Sequence, residues 1–291
     1  MRELRNKIQV LPTGCAPIDT LLGGGLREGT VVEVAGETAS GKTQLCLSAA
    51  ATTAFRGEPV FYVDTTGSFA PERVVRMAQA EAAVTPLAGG SVRDGDPGLA
   101  SRVLGCIHVT RAANVYELLA ILDQLQAELQ RQQQLQEAAR QQLRQHQQLQ
   151  QPSDDRSGPR LLVVDSVSAL LSTVLGNNQH MQGTALLTTV GRTLKLLAEA
   201  NAIAVLITNH VTSSGPMARG AGGGRDPGGD RSGGLAGGPV AGVSGLKPAL
   251  GEQWRSQAHM RLQLSLDDSQ SSGSGARLAT LTASPLQNYE M

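Results

Sequence analysis

The chain predicts an α/β fold: a mostly parallel, twisted sheet with helices on both faces and an antiparallel hairpin at one edge. Three observations carry this. Five short apolar runs, rich in Val, Ile and Leu, are bounded by turn residues at 31–35, 60–63, 106–109, 161–164 and 203–207. Between them, segments such as 45–54, 74–82 and 186–197 place apolar residues at helical spacing. Two late runs, 260–266 and 277–283, alternate instead, as strands with one solvated face do. Strands that are apolar on both faces and alternate with helices belong in a parallel sheet covered on both sides.

Taken in order, the first strand (Val31-Val32-Glu33-Val34-Ala35) runs into a glycine-rich turn and a helix from Thr43. The second (Val60-Phe61-Tyr62-Val63) ends on Asp64 and precedes the helix at 74–82. After the third (Cys106-Ile107-His108-Val109), a helix starts near Asn114, with Leu118, Leu122, Leu125 and Leu129 on one face. It runs on into 124–151, where about half the residues are glutamine, until Pro152 and Ser153-Asp154-Asp155 end it. The apolar repeat decays after Leu129, short of the three or four heptads a coiled coil needs, so residues 124–160 read as an expanded surface connection rather than a partner-binding coil. The fourth strand, Leu161-Leu162-Val163-Val164, ends on Asp165, and the fifth, Ile203-Ala204-Val205-Leu206-Ile207, follows the helix at 186–197.

More than a third of residues 213–245 are glycine, and Pro216, Pro227 and Pro239 interrupt them. Such a segment buries too little apolar surface to offset its chain entropy, and it is read as disordered when free. Its place directly after a buried strand puts it at the carboxyl edge of the sheet, where open α/β sheets bind ligands. The Ser/Gly-rich stretch 267–275 reads as the turn of the late hairpin. The organisation expected is a tail, residues 1–10, and one domain, residues 11–291.

Lys and Arg number 25, as do Asp and Glu, so the net charge is zero. A protein that held nucleic acid by bulk electrostatics would carry a basic excess, so any such contact must be local. Aromatic residues make up 2% of the chain, too few for a face that stacks successive bases or for an RNA-recognition sheet. No apolar stretch approaches the roughly 18 residues of a membrane span, and the charged start MRELRNKIQV lacks a signal core. Cys15, Cys46 and Cys106 are odd in number and widely spaced, which suits reduced thiols rather than disulfides or a zinc site, and so a cytosolic or nuclear setting.

The strongest motif is Gly36-Glu37-Thr38-Ala39-Ser40-Gly41-Lys42-Thr43, a complete G-x-x-x-x-G-K-T between a strand and a helix. Its glycines let backbone N–H groups close around phosphate oxygens, and the helix N-terminus adds its positive end. Lys42 is placed for the β- and γ-phosphates and Thr43 for Mg²⁺. The second anchor such a loop needs is an acid at the end of a neighbouring buried strand. Asp165 has that form, with Asp64 the weaker competitor. The cofactors implied are ATP and Mg²⁺.

With these residues stand Thr13-Gly14-Cys15, Ile18-Asp19, Leu21-Leu22-Gly23-Gly24-Gly25-Leu26, Gln44, Tyr62-Val63-Asp64-Thr65, Pro71-Glu72-Arg73 and Ile207-Thr208-Asn209-His210. Together, and in this order, they resemble the ATPase core of the RecA-type recombinases, from about residue 11 to 284. Within that family the chain is most similar to the eukaryotic recombinase paralogues. Thr208-Asn209-His210, Leu246-Lys247-Pro248-Ala249-Leu250-Gly251 and Trp254 resemble the delta type among them.

The resemblance implies a RecA-like P-loop NTPase core and a DNA-dependent ATPase that serves homologous recombination and double-strand break repair in the nucleus. It implies other recombinase paralogues as partners in a hetero-oligomer, and single-stranded or branched DNA as a ligand. Gly36, Glu37, Thr38, Ala39, Ser40, Gly41, Lys42, Thr43 and Gln44 would hold the nucleotide, with Arg73 packed on the adenine. Asn209 or His210 would sense the γ-phosphate and pass its presence to DNA-binding loops at 172–183 and 212–246. Arg219, Arg225, Arg231 and Lys247 would supply the cations of the second loop, offset by Asp226 and Asp230.

The chain also departs from the family pattern. Active members carry a glutamate, which orients the attacking water, at the position of Thr66. Filament-forming members carry an Asp before the Ser-Pro near the C-terminus, where this chain has Ala283-Ser284-Pro285. The resemblance begins at about residue 11, so a chain without the family's N-terminal helical domain is expected. These departures leave two readings from the sequence: a weak, DNA-stimulated ATPase, or a nucleotide-gated scaffold with little or no hydrolysis. A replicative-helicase type of P-loop motor shares the core, but the late hairpin and the segment from Leu246 to Trp254 speak against it.

Overall fold

The apolar runs form the strands of one central sheet, and the helically spaced segments cover it on both faces. A computed structural model describes residues 9–84, 98–145, 158–175, 180–213, 246–250, 254, 256–266 and 276–283. In chain order the elements are β1 (Val10–Leu11), α1 (Ala16–Leu21), β2 (Leu26–Arg27), β3 (Val31–Gly36), α2 (Lys42–Phe55), β4 (Val60–Asp64), α3 (Pro71–Val84), α4 (Leu99–Gly105) and β5 (Ile107–Arg111). There follow α5 (Val115–Gln145), β6 (Leu161–Asp165), α6 (Val167–Leu175), α7 (His180–Asn201), β7 (Ala204–Ser213), β8 (Leu246–Pro248), β9 (Met260–Leu266) and β10 (Arg277–Ala283).

The strand order is β10-β9-β3-β7-β6-β4-β5, parallel from β9 to β5, with β10 antiparallel to β9 at the edge. This is the expected mixed sheet with its late hairpin. β1 and β2 form a separate antiparallel pair that composition did not signal.

Alternation along each strand sorts its side chains between two cores. Val32, Val34, Tyr62, Leu161, Val163 and Leu206 pack with α2, α3 and α4. Val31, Val63, Leu162, Val164, Val205 and Ile207 pack with α5, α6 and α7. Trp254, the single tryptophan, is fully buried in the second core beside Leu250.

α5 begins at a side-chain N-cap, Asn114. Asn114 Oδ1 accepts the N–H groups of Tyr116 and Glu117, and the Glu117 carboxylate accepts the Ala113 N–H. Its Leu118, Leu122, Leu125 and Leu129 face is buried, whereas Leu135 is exposed, so the helix outlasts its apolar stripe into glutamine-rich sequence. Residues 146–157 of the expected insertion lie outside the described residues.

Two expectations about the loops change. The first proposed DNA loop, 172–183, is helical where it is described: Ser172 to Leu175 continue α6, and His180 to Gly183 begin α7. The strand expected at 203–207 begins at Ala204 and runs on to Ser213. Its last three residues pair antiparallel with β8, Val211 with Pro248, Thr212 with Lys247 and Ser213 with Leu246, so both ends of the glycine-rich segment are zipped together. Lys247 therefore sits on a strand beside Thr212. Arg219, Arg225 and Arg231 lie outside the described residues, as does the hairpin turn at 267–275.

Candidate functional site

β3 delivers the chain into the phosphate loop at the carboxyl edge of the sheet, and α2 leaves it. Gly36 must be glycine because a Cβ there would meet Leu264 O and Ser40 Oγ, each at 2.5 Å. Gly41 takes φ 104°, in the left-handed region that favours glycine, and Ala39, two residues before it, has φ 64°. The first-turn N–H groups of α2 lack acceptors within the helix and point into the loop, which suits a polyphosphate.

Lys42 is buried, and its Nζ donates to Gly36 O (2.8 Å) and Glu37 O (2.6 Å). Burial lowers its pKa, an effect that the nearby Asp165 carboxylate opposes. Asp165, also buried, accepts from Thr208 Oγ1 (2.5 Å) at Oδ1 and from Tyr62 OH (3.2 Å) at Oδ2. Burial pushes the Tyr62 phenol far above its ordinary value, so it stays a donor to Asp165.

Asp64, the competitor for the acidic anchor, is committed elsewhere. Its Oδ1 accepts the N–H groups of Thr66, Gly67 and Ser68, and its Oδ2 that of Phe69. A carboxylate engaged by four backbone donors is a turn organiser, which leaves Asp165 as the acid facing the loop.

A cleft of about 410 Å³ opens above these groups. The phosphate loop lines it through Thr38, Ala39, Gly41, Lys42, Thr43 and Gln44, and the far wall carries Thr66, Arg73, Asp165, Ser166 and His210. Thr43 and Asp165 face the same space and together offer the oxygen ligands a Mg²⁺ ion takes. Glu37, at the mouth of the loop, is half-buried, and Ser40 is buried beneath it.

The structure separates the two candidate γ-phosphate sensors. In β7, Leu206, Thr208 and His210 share the face of the phosphate loop, while Val205, Ile207 and Asn209 share the opposite one. His210 accordingly reaches the cleft. Asn209 does not: it is fully buried and donates from Nδ2 to Glu33 Oε1 at 2.7 Å. Glu33 in turn pairs with Arg261 of β9 at 2.6 Å. Asn209 thus stands in the core on the face away from the cleft, and Glu33 is a structural carboxylate.

His210 is clamped by its backbone. Its N–H donates to Ser168 Oγ (2.9 Å), and its carbonyl accepts the N–H of Ala249 (2.8 Å) just past β8. Burial first, and then Lys42, lower the imidazole pKa, so the ring is neutral at pH 7.

Two cleft residues, Ser166 and Arg277, escaped the sequence reading. Arg277, the first residue of β10, lies across the phosphate loop, with its Nη2 3.4 Å from Ala39 O and its chain against Gly41. The alternating pattern announced a strand there, but only the hairpin register brings its end to the loop.

A protein-family model for Rad51 matches residues 4–87. The chain is 32% identical to the bovine DNA repair protein RAD51 homolog 4 over 286 residues, spanning 97% of this chain and 69% of that protein. It is 30% identical to the mouse protein of the same name, spanning 98% and 70%. The archaeal DNA repair and recombination protein RadA of Cenarchaeum symbiosum is 31% identical over 217 residues, 72% of this chain and 44% of that one. Similarity along nearly the whole chain, joined to a RecA-like sheet with its phosphate loop at the carboxyl edge, places this protein in the Rad51 family, as a RecA-type recombinase paralogue of the eukaryotic kind.

Proposed function

We propose that the chain is an ATP-binding, weakly DNA-stimulated ATPase that acts in double-strand break repair by homologous recombination, as a nuclear subunit of a hetero-oligomer with other recombinase paralogues. The observation that carries this is the convergence of Lys42, Thr43, Asp165, Arg73 and His210 on one cleft. Mg²⁺, held by Thr43 and Asp165, would offset phosphate charge. Arg73, exposed at the start of α3, is available to an adenine ring. The names of the bovine and mouse relatives support the repair role.

The test is phosphate release with and without single-stranded DNA. Turnover that DNA raises supports the enzyme. ATP binding with no turnover above that of Lys42→Ala favours the second reading, a nucleotide-gated scaffold, which Thr66 and Ala283 motivate.

Sensing by a histidine gives this site a pH signature. Phosphate oxygens beside His210 favour the imidazolium, so bound nucleotide raises a pKa that the free protein holds down. Binding then takes up protons, and affinity rises as pH falls from the raised pKa of the bound form towards the lowered pKa of the free form, by up to roughly tenfold for each unit that the pKa moves. Nucleotide titrations across that range should show the slope, and His210→Gln should flatten it. An equal slope in both proteins would remove His210 from the nucleotide site.

DNA binding is assigned to the zipped glycine-rich segment, with Arg219, Arg225, Arg231 and Lys247 as its cations. Four phosphate contacts give a log–log salt slope of about −3 on single strands, at roughly −0.7 each. Replacing the three arginines by alanine should remove most of that slope, and unchanged binding would refute the assignment.

A further inference from the structure

We propose that residues 64–69 form a prebuilt hydroxyl site, in which Thr66 and Ser68 orient the water that attacks the γ-phosphate. This inference rests on the reading of the cleft as an ATP site. Three sets of contacts hold the turn rigid. The buried Asp64 carboxylate gathers the four N–H groups of Thr66 (3.1 Å), Gly67 (2.8 Å), Ser68 (3.1 Å) and Phe69 (3.1 Å). Thr65 Oγ1 accepts the Ser166 N–H (2.6 Å) and the Thr65 N–H donates to Asp165 O (2.9 Å), which ties the turn to the end of β6. The Phe69 ring packs edge-on against Tyr62 at 4.9 Å. Gly67, at φ 72°, supplies the left-handed residue.

On this frame Thr66 Oγ1 and Ser68 Oγ lie 2.7 Å apart, and Ser68 Oγ lies 3.5 Å from Asp165 Oδ2, a long hydrogen bond. Thr66 faces the cleft that Lys42 and Asp165 also line. Each hydroxyl has one donor and two acceptor lone pairs, so their mutual bond leaves acceptor capacity for a water molecule. With the Ser68 hydroxyl donating to Asp165, the Thr66 hydroxyl donates to Ser68 Oγ, and the Thr66 oxygen, on the cleft, keeps its lone pairs for a water. Preorganised dipoles of this kind need no reorganisation as the reaction proceeds.

In the step itself, the water oxygen bonds to the γ-phosphorus as the bond from that phosphorus to the β,γ-bridging oxygen breaks. ADP leaves with the bridging oxygen and its electron pair. A hydroxyl pair does not retain a proton near pH 7, so both water protons leave on the phosphate: ATP⁴⁻ and H₂O give ADP³⁻ and H₂PO₄⁻. Thr66 and Ser68 position the water and Asp64 positions them. Turnover without a carboxylate base is slow for this reason.

The experiment uses the full chain, with nucleotide affinity measured by a fluorescent ATP analogue and turnover by phosphate release, each over the background of Lys42→Ala. Ser68→Ala and Thr66→Val are expected to lower kcat roughly 10- to 100-fold with affinity and KM unchanged. Thr66→Ser should keep most of the rate, and Thr66→Glu should exceed the parent. Unaltered kcat in both Ser68→Ala and Thr66→Val would overturn the proposal, as would a loss of affinity equal to the loss of rate. ATP binding without turnover in the parent chain overturns it while leaving the nucleotide site standing; absence of ATP binding removes both.

Discussion

Lys42→Ala is expected to abolish measurable ATP turnover and to weaken nucleotide binding by roughly 10- to 100-fold. The ammonium now spends two of its three donors on Gly36 O and Glu37 O, which fixes the curvature of the loop and leaves a donor for a phosphate oxygen. Hydrogen bonds to charged groups contribute about 1.5–3 kcal/mol, and each 1.4 kcal/mol is tenfold in affinity. Charge that develops as a phosphoryl group transfers adds to the loss in rate, where one preorganised donor is worth roughly 10² to 10³. The substitution also leaves two backbone carbonyls without their donor, so the melting temperature must be read alongside. A folded Lys42→Ala protein that still bound ATP at the parent affinity would refute the assignment of the loop.

How much of this site is legible in the sequence depends on how local its causes are. The phosphate loop is local: glycine spacing, a strand before it and a helix after it appear in consecutive residues, and the structure has them there. Asp165 is nearly local, since four apolar residues running into a carboxylate describe a buried strand that ends at the sheet edge. The choice between Asn209 and His210 was present in the alternation of β7, because residues two apart share a face and Thr208 reaches Asp165. Asp64 shows the opposite limit: its engagement by four N–H groups depends on how the next five residues turn, which spacing does not encode. Arg277 depends on the hairpin register and on where β9 joins β3, since 238 residues separate it from the Ala39 it touches. The helical start of the first expected DNA loop continues a helix whose buried face, Val167, Leu170 and Leu171, is spaced for it just upstream.

Arg261→Met is expected to destabilise the protein by about 3–5 kcal/mol, more than any surface substitution, because it strands the Glu33 carboxylate in the core. Glu33 has no solvent exposure, lies between β7 and β9 in the middle of the sheet, and is held by Arg261 Nε at 2.7 Å and Asn209 Nδ2 at 2.7 Å. Removing one charge of a buried pair is costly, whereas removing both often is not. Combining Arg261→Met with Glu33→Gln should therefore recover part of the loss, to within about 1–3 kcal/mol of the parent: the amide oxygen still accepts from Asn209, and the remaining cost is the buried amide N–H that Met leaves without an acceptor. Denaturant midpoints at constant slope measure both steps. The network also has a positional role. It joins β3, which ends in the phosphate loop, to β7, which ends in His210, and to β9, which carries the hairpin of Arg277. If burial of the pair matters only for strand alignment, the double variant keeps nucleotide affinity along with the stability it recovers. If the double variant folds but loses affinity, the charges act on the cleft through the sheet, and the network belongs to the nucleotide site rather than to the core.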